Sequence, residues 1–142
     1  MKHKLFCVAN ATIPLAVGAF LYYLVDPSVI FVKWIDSILS YSYHYDFSTH
    51  NQFCTILRNY LFDALWSYSL LFSIYLLIDR KNRLVWSISV SFVVGILLES
   101  LQLLDKVPGT FDLNDIFTQF LSVVFASIII CLERRFVNEE IC

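Results

Sequence analysis

Residues 84–104 read LVWSISVSFVVGILLESLQLL, and Glu99 is the one ionisable residue among them. A helix needs about 20 mostly apolar residues to cross a bilayer, and this stretch has that length and character. It is read as a membrane span. Working outward, three further stretches share its composition: Leu5–Val25, Tyr60–Ile78 and Ile116–Leu132. The last is the shortest, at the low end of the usual range of about 17–25 residues.

Composition supports the same solvent. Of the 142 residues, 58% are hydrophobic, 17% aromatic and 15% charged. A soluble domain carries about 45–50% apolar and roughly 25% charged residues. A chain this short cannot hide so much apolar surface in one water-soluble core, and lipid covers it instead. The fold class expected is all-α, a four-transmembrane-helix bundle, with residues 1–142 forming a single membrane domain. A signal peptide is the alternative reading of the first run, because Lys2 and Lys4 precede it. The run is long for that role and ends in the bulky Phe20-Leu21-Tyr22-Tyr23-Leu24. Asn10 and Pro14 lie inside it, and Pro14 predicts a kink near its middle.

Basic residues set orientation. With the N-terminus inside, the cytoplasmic side holds Lys2, Lys4, Arg80, Lys81, Arg83, Arg134 and Arg135, against Lys33, Arg58 and Lys106 outside. The short Asp79-Arg80-Lys81-Asn82-Arg83 connection is the strongest cue. Both termini are therefore expected in the cytoplasm. Between the first two spans, Ser28–Leu39 is apolar but too short to cross, and reads as an interfacial or re-entrant helix capped by Ser28 after Pro27. In Tyr41-Ser42-Tyr43-His44-Tyr45 tyrosine alternates with polar residues, as suits the headgroup level, with a short outer strand as the alternative.

Net charge is −2 and no basic, aromatic-laced patch is present, so nucleic acid is not an expected partner. The lipid bilayer is. No cofactor motif occurs. Cys7, Cys54, Cys131 and Cys142 form no CxxC pair, and no histidine is read as their ligand partner. They are expected to be unpaired, lipid- or core-facing thiols. His44, Asp46 and His50 match no metal-ligand spacing, and no metal site is expected.

The informative residues are the polar ones inside the spans, where an ionisable group costs about 2.5–3.5 kcal/mol at a helix centre on insertion scales. Asp63 lies near the outer start of the second span. Glu99 and Gln102 lie at the outer end of the third, and Asp112, Asp115 and Gln119 at the outer start of the fourth. Residues three and four apart share a helix face. Glu99 with Gln102, Asn59 with Asp63, and Asp112 with Asp115 and Gln119 thus form three polar faces at one depth, expected to turn toward each other and away from lipid. Asp112 and Asp115 also have a plain helix-capping reading, and Asp63 gains from the positive end of its helix. Glu99 has neither excuse, since it lies about 7–8 Å inside its span, toward the negative end of its helix dipole. It needs a partner, a proton or a ligand. Arg58 is a candidate partner for Asp63 or Glu99, or an anchor to lipid phosphate. Gly95, one turn before Glu99, allows close approach of another helix.

In sequence order, Asn59-Tyr60-Leu61-Phe62-Asp63-Ala64-Leu65-Trp66, then Glu99-x-x-Gln102, then Pro108-Gly109-Thr110-Phe111-Asp112-x-x-Asp115, the chain resembles the VanZ-like family of small bacterial membrane proteins. The likeness covers about Arg58 to Ala126. It implies a bacterial membrane protein of the cell envelope with a shared outer-face site. The family takes its name from a protein linked to reduced susceptibility to the glycopeptide teicoplanin. The chain departs from the family where an Arg often precedes the third-loop acids, and where Asn and Gly often follow them; here stand Gln119, Ser122 and Ala126.

The site expected from these readings comprises Arg58, Asn59, Asp63, Glu99, Gln102, Asp112, Asp115 and Gln119, holding a lipid or lipid-linked cell-wall headgroup. A structural subunit glued by the same polar groups is the alternative. A membrane enzyme is disfavoured, because no Ser, His and Asp set stands at one depth. A proton- or cation-coupled transporter is disfavoured because no polar stripe is read as continuing to the cytoplasm, beyond Asn10 and Thr12 in the first span.

Overall fold

A computed structural model gives the structure of the chain, and it describes residues 2–25, 30–39, 52–103 and 112–139. Five helices fill them: α1 (Lys2–Val25), α2 (Ile30–Leu39), α3 (Gln52–Leu77), α4 (Arg83–Leu103) and α5 (Leu113–Glu139). No strand occurs among the described residues. The segment around the alternating tyrosines, the Ser28 cap, His44, His50 and the Pro108-Gly109 turn lie outside them.

α1, α3, α4 and α5 each contain a stretch long and apolar enough to cross a membrane: His3–Leu21, Tyr60–Leu77, Arg83–Leu103 and Leu113–Phe136. α3 and α5 extend furthest beyond their apolar runs. α3 begins at Gln52 rather than Tyr60, because the apolar Phe53-Cys54-Thr55-Ile56-Leu57 leads into it. α5 has 27 residues, continuing through Glu133-Arg134-Arg135, whose side chains end a hydropathy run without opposing helix. α1 is continuous through Pro14.

The helices alternate in direction. Phe6 meets Phe72 edge-on with ring centroids 6.2 Å apart, and the Tyr68 hydroxyl donates to Asn10 Oδ1 at 2.6 Å, so α1 and α3 run antiparallel. Arg83 lies over the Tyr75 ring, setting α4 antiparallel to α3 across the Asp79–Asn82 connection. Gln119 meets Glu99 at one end, and Glu133 and Arg83 share His3 at the other, so α5 runs antiparallel to α4. Helix α3 is the hub: α1, α4 and α5 all pack on it.

The core mixes a few large side chains with small ones. Cys7, Ala11, Leu71, Phe72, Tyr75, Val123, Ala126 and Ile130 are buried, with Ser67, Ser69, Ser87 and Ser91 beside them. Among the described residues most large apolar side chains point outward, Leu5 at 72%, Phe20 at 63% and Leu113 at 70% exposure, with only Leu71, Phe72, Tyr75 and Ile130 fully buried among them. That inversion suits a bundle in lipid, where helices associate by close packing of small residues and not by expelling water. α2 is the amphipathic exception, with exposed Trp34 and Ile38, and it is tied to α1 by the Tyr23 hydroxyl on Asp36 Oδ1 at 3.0 Å. A short helix between the first two spans is as the sequence predicts.

Candidate functional site

One end of the bundle gathers the acids. Glu99, on the last turns of α4, is 3% exposed. Gln119 of α5 donates from Nε2 to Glu99 Oε1 at 3.2 Å. Gly95 makes this contact available. A Cβ there would collide with Gln119 Oε1 and come within 3.4 Å of its Cδ, so the missing side chain is the space the amide occupies. The other carboxyl oxygen, Glu99 Oε2, is buried with no hydrogen-bond partner.

Half-buried Asp63 and Asp115 surround this carboxyl from α3 and α5. Asp115 lies within electrostatic reach of both Asp63 and Glu99, and Asp112 of Glu99 and Asp115. Asp63, Glu99, Asp112, Asp115 and Gln119, from three helices, thus lie together at one end. Ser122 of α5 adds a tie, its hydroxyl donating to the Ala64 carbonyl of α3 at 2.5 Å. Asp112 also has its plain role. Its Oδ1 accepts the Asn114 backbone N–H at 2.9 Å, capping the start of α5. Gln102 is half-buried one turn beyond Glu99. Arg58 and Asn59 belong to the early turns of α3, and their side chains lie outside the described residues.

Like charges repel strongly where water is scarce. Among the described residues no cation pairs with Glu99, and its donors are neutral amides, the Gln119 side chain and the Asp112 backbone N–H. The arrangement therefore accepts a hydrogen-bond donor or positive charge at Glu99 Oε2. Among the described residues no three His, Cys, Asp or Glu side chains converge well enough to hold a metal.

The opposite end holds a cluster that the sequence reading missed. His3 Nδ1 bonds Glu133 Oε2 of α5, while Arg83 Nη2 of α4 reaches His3 Nε2 at 3.0 Å. Cys7 Sγ, one turn along α1, lies 3.8 Å from that same nitrogen. The Arg83 guanidinium stands 4.2 Å over the Tyr75 ring, with Arg134 at 5.5 Å and the His3 ring edge-on at 6.0 Å. So Cys7 does have a histidine beside it, contrary to expectation, and the i, i+4 spacing of His3 and Cys7 was the available signal. The Cys7 thiol is fully buried, as expected of a core-facing thiol, and Cys131 is exposed; the other two cysteines' side chains lie outside the described residues.

Comparison with protein-family models, with curated proteins and with solved structures finds no match to this chain.

Proposed function

We propose that the chain is a VanZ-like membrane protein of the bacterial cell envelope whose Glu99 end faces outward and binds a headgroup. The ligand class is a lipid or lipid-linked cell-wall intermediate presenting an ammonium or hydroxyl donor. Buried Glu99 carries this reading. One oxygen is fixed by Gln119 and the other has no partner, with Asp63 and Asp115 nearby. A donor to a charged acceptor is worth about 1.5–3 kcal/mol, enough to select a headgroup at the bilayer surface. The excess of basic residues at the other end, Arg80, Lys81, Arg83, Arg134 and Arg135, supports placing that end and both termini in the cytoplasm. By the family resemblance, such binding would bear on glycopeptide susceptibility.

The test is thermal unfolding of the detergent-purified protein with phosphatidylethanolamine, a diglucosyl diacylglycerol, or phosphatidylglycerol added. The first or second should raise the wild-type Tm, and Glu99→Gln and Asp115→Asn should abolish that rise with membrane expression intact. A response unchanged in both variants refutes the site.

A second reading is structural: the polar groups only fasten helices. The Glu99–Gln119 and Ser122–Ala64 bonds favour it, since together they tie α3, α4 and α5. It predicts that Glu99→Gln lowers expression or stability and that no added lipid distinguishes it from wild type.

A further inference from the structure

The Glu99 site and the His3 cluster are connected through the interior. Arg83, Ser87, Ser91, Gly95 and Glu99 stand four residues apart on α4, and the last four are buried. A turn of four residues rises about 6 Å, so this row runs about 24 Å. The hydrocarbon core of a bilayer is about 30 Å thick. A second row, Asp63, Ser67, Leu71 and Tyr75, follows the same spacing on antiparallel α3. The rows meet at both ends: Arg83 lies on Tyr75, and Glu99 lies within electrostatic reach of Asp63. Leu71 and Gly95 interrupt the rows, which between them still carry buried polar side chains from the Glu99 end to the His3 end, where the sequence predicts no continuing polar stripe.

Its polar atoms are unusual in one respect. Ser67 Oγ, Ser91 Oγ, Arg83 Nε and Glu99 Oε2 are all buried without a hydrogen-bond partner, as is Ser69 Oγ beside the rows, while the Tyr75 hydroxyl bonds Arg83. A serine in an apolar helix ordinarily satisfies itself on the carbonyl one turn back. Lipid-facing Ser89 does so on Val85 at 3.0 Å, and Ser100 on Ile96 at 2.7 Å. Ser67 and Ser91 do not. Each orphaned group costs about 1–3 kcal/mol, which alanine would avoid with equal packing. Hydroxyls one turn apart are separated by about 6 Å, or two hydrogen-bond lengths, the gap a single water bridges.

We propose that these rows form a proton path through the membrane, joining the acids around Glu99 to the His3–Glu133 pair. A proton arrives on the carboxyls of Glu99, Asp63 and Asp115, with Asp112 at their rim. It exchanges along Ser67, Ser91, Ser87 and the waters bridging them to the Tyr75 hydroxyl. It leaves on His3 or Glu133. Each hydroxyl takes one proton and releases another, so no group is consumed. The groups facing the exit are His3 and Cys7 of α1, Tyr75 of α3, Arg83 of α4, and Glu133 and Arg134 of α5. The two guanidiniums there repel metal cations, whereas a proton moves by exchange on the imidazole and carboxylate between them. This function goes beyond headgroup binding and does not rest on it.

The experiment uses the full chain in liposomes loaded with a pH-sensitive dye, with a potassium gradient and valinomycin setting the membrane potential. Wild type should move protons severalfold faster than protein-free vesicles. Ser91→Val and Glu99→Gln should return the rate to the protein-free level, and Ser89→Val on the lipid face should leave it at wild type. Helical circular dichroism and monodisperse elution qualify each variant. Ser91→Ala, which removes the hydroxyl without adding bulk, stands in for a variant that fails them and should also slow the flux severalfold. The proposal is overturned by a wild-type rate equal to protein-free vesicles. It is equally overturned by wild-type rates in the folded Ser91 and Glu99 variants, or by equal loss in Ser89→Val.

Discussion

Gln119 of α5 occupies the space that a side chain on Gly95 of α4 would need, and from there it holds the Glu99 carboxyl. The atom in the way is the far end of a flexible side chain, so Gly95→Ala displaces the amide and leaves the backbone in place. Its cost is then the lost bond to Glu99, about 1–3 kcal/mol for a buried acceptor left unpaired. In a Gln119→Ala background that bond is already gone, and Gly95→Ala should cost far less. A double-mutant cycle on reversible unfolding in detergent checks this. Equal cost of Gly95→Ala in both backgrounds would show that the glycine serves helix approach in general and not Gln119.

The cap of α5 separates the two roles of the acids. Asp112→Ala removes the acceptor for the Asn114 N–H and should destabilise by about 1 kcal/mol, while Asp112→Ser, which keeps a capping oxygen, should be nearly neutral. Asp115 accepts no such bond among the described residues. Asp115→Asn should therefore leave Tm in the absence of lipid close to wild type. Thermal unfolding of the three variants gives the order; a larger loss for Asp115→Asn than for Asp112→Ala contradicts it.

The four helices long and apolar enough to span were legible because their exposed faces are as apolar as the core, so length and hydropathy alone delimit them. Helix ends were less so: α5 runs past Leu132 to Glu139, since hydropathy reports where lipid ends and not where the backbone unwinds. The convergence of Asp63, Glu99, Asp115 and Gln119 followed from spacing within each helix. The pairing of Glu99 with Gln119 needed the approach of α4 and α5 at Gly95, which one helix cannot reveal. The His3 cluster was hidden for a related reason. His3, Arg83 and Glu133 lie at the ends of three helices, where charges ordinarily contact headgroups and water. The Arg83–Ser87–Ser91–Gly95–Glu99 row stood openly in the sequence. It looked inert because serine in a helix so often bonds its own backbone, as Ser87 does to the Arg83 carbonyl at 2.7 Å.

The link between α1 and α3 rests on a hydroxyl. Tyr68→Phe removes the donor to Asn10 Oδ1, and Asn10 keeps its own bond from Nδ2 to the Phe6 carbonyl at 2.9 Å. Interhelical bonds of this kind average about 0.6 kcal/mol in membrane bundles, and Tyr68→Phe should lose about that much. Asn10→Leu should cost more, because it breaks both bonds and strands the Tyr68 hydroxyl. Steric trapping or denaturant unfolding in detergent resolves the difference. A smaller loss for Asn10→Leu than for Tyr68→Phe counts against the assignment.

Cysteine chemistry tests which helix faces meet lipid. In a Cys54→Ser, Cys142→Ser background the remaining thiols are Cys7, fully buried, and Cys131, exposed on α5. Reactivity requires access. A membrane-permeant maleimide should label Cys131 and spare Cys7 until the protein is unfolded, with intact-mass spectrometry counting the adducts. Removing His3 should then open the Cys7 end, because the imidazole covers the thiol while joining Glu133 to Arg83. His3→Ala deletes that bridge and leaves the Arg83 guanidinium on Tyr75 without its neighbour, loosening the start of α1 from α3 and α5. Cys7 labelling in folded His3→Ala should rise severalfold while Cys131 labelling stays constant. A Cys7 rate equal to that of the background chain would mean that α1 is held by its contacts with α3 farther along, at Phe6 and Asn10, and that the His3 bridge adds nothing to its anchorage.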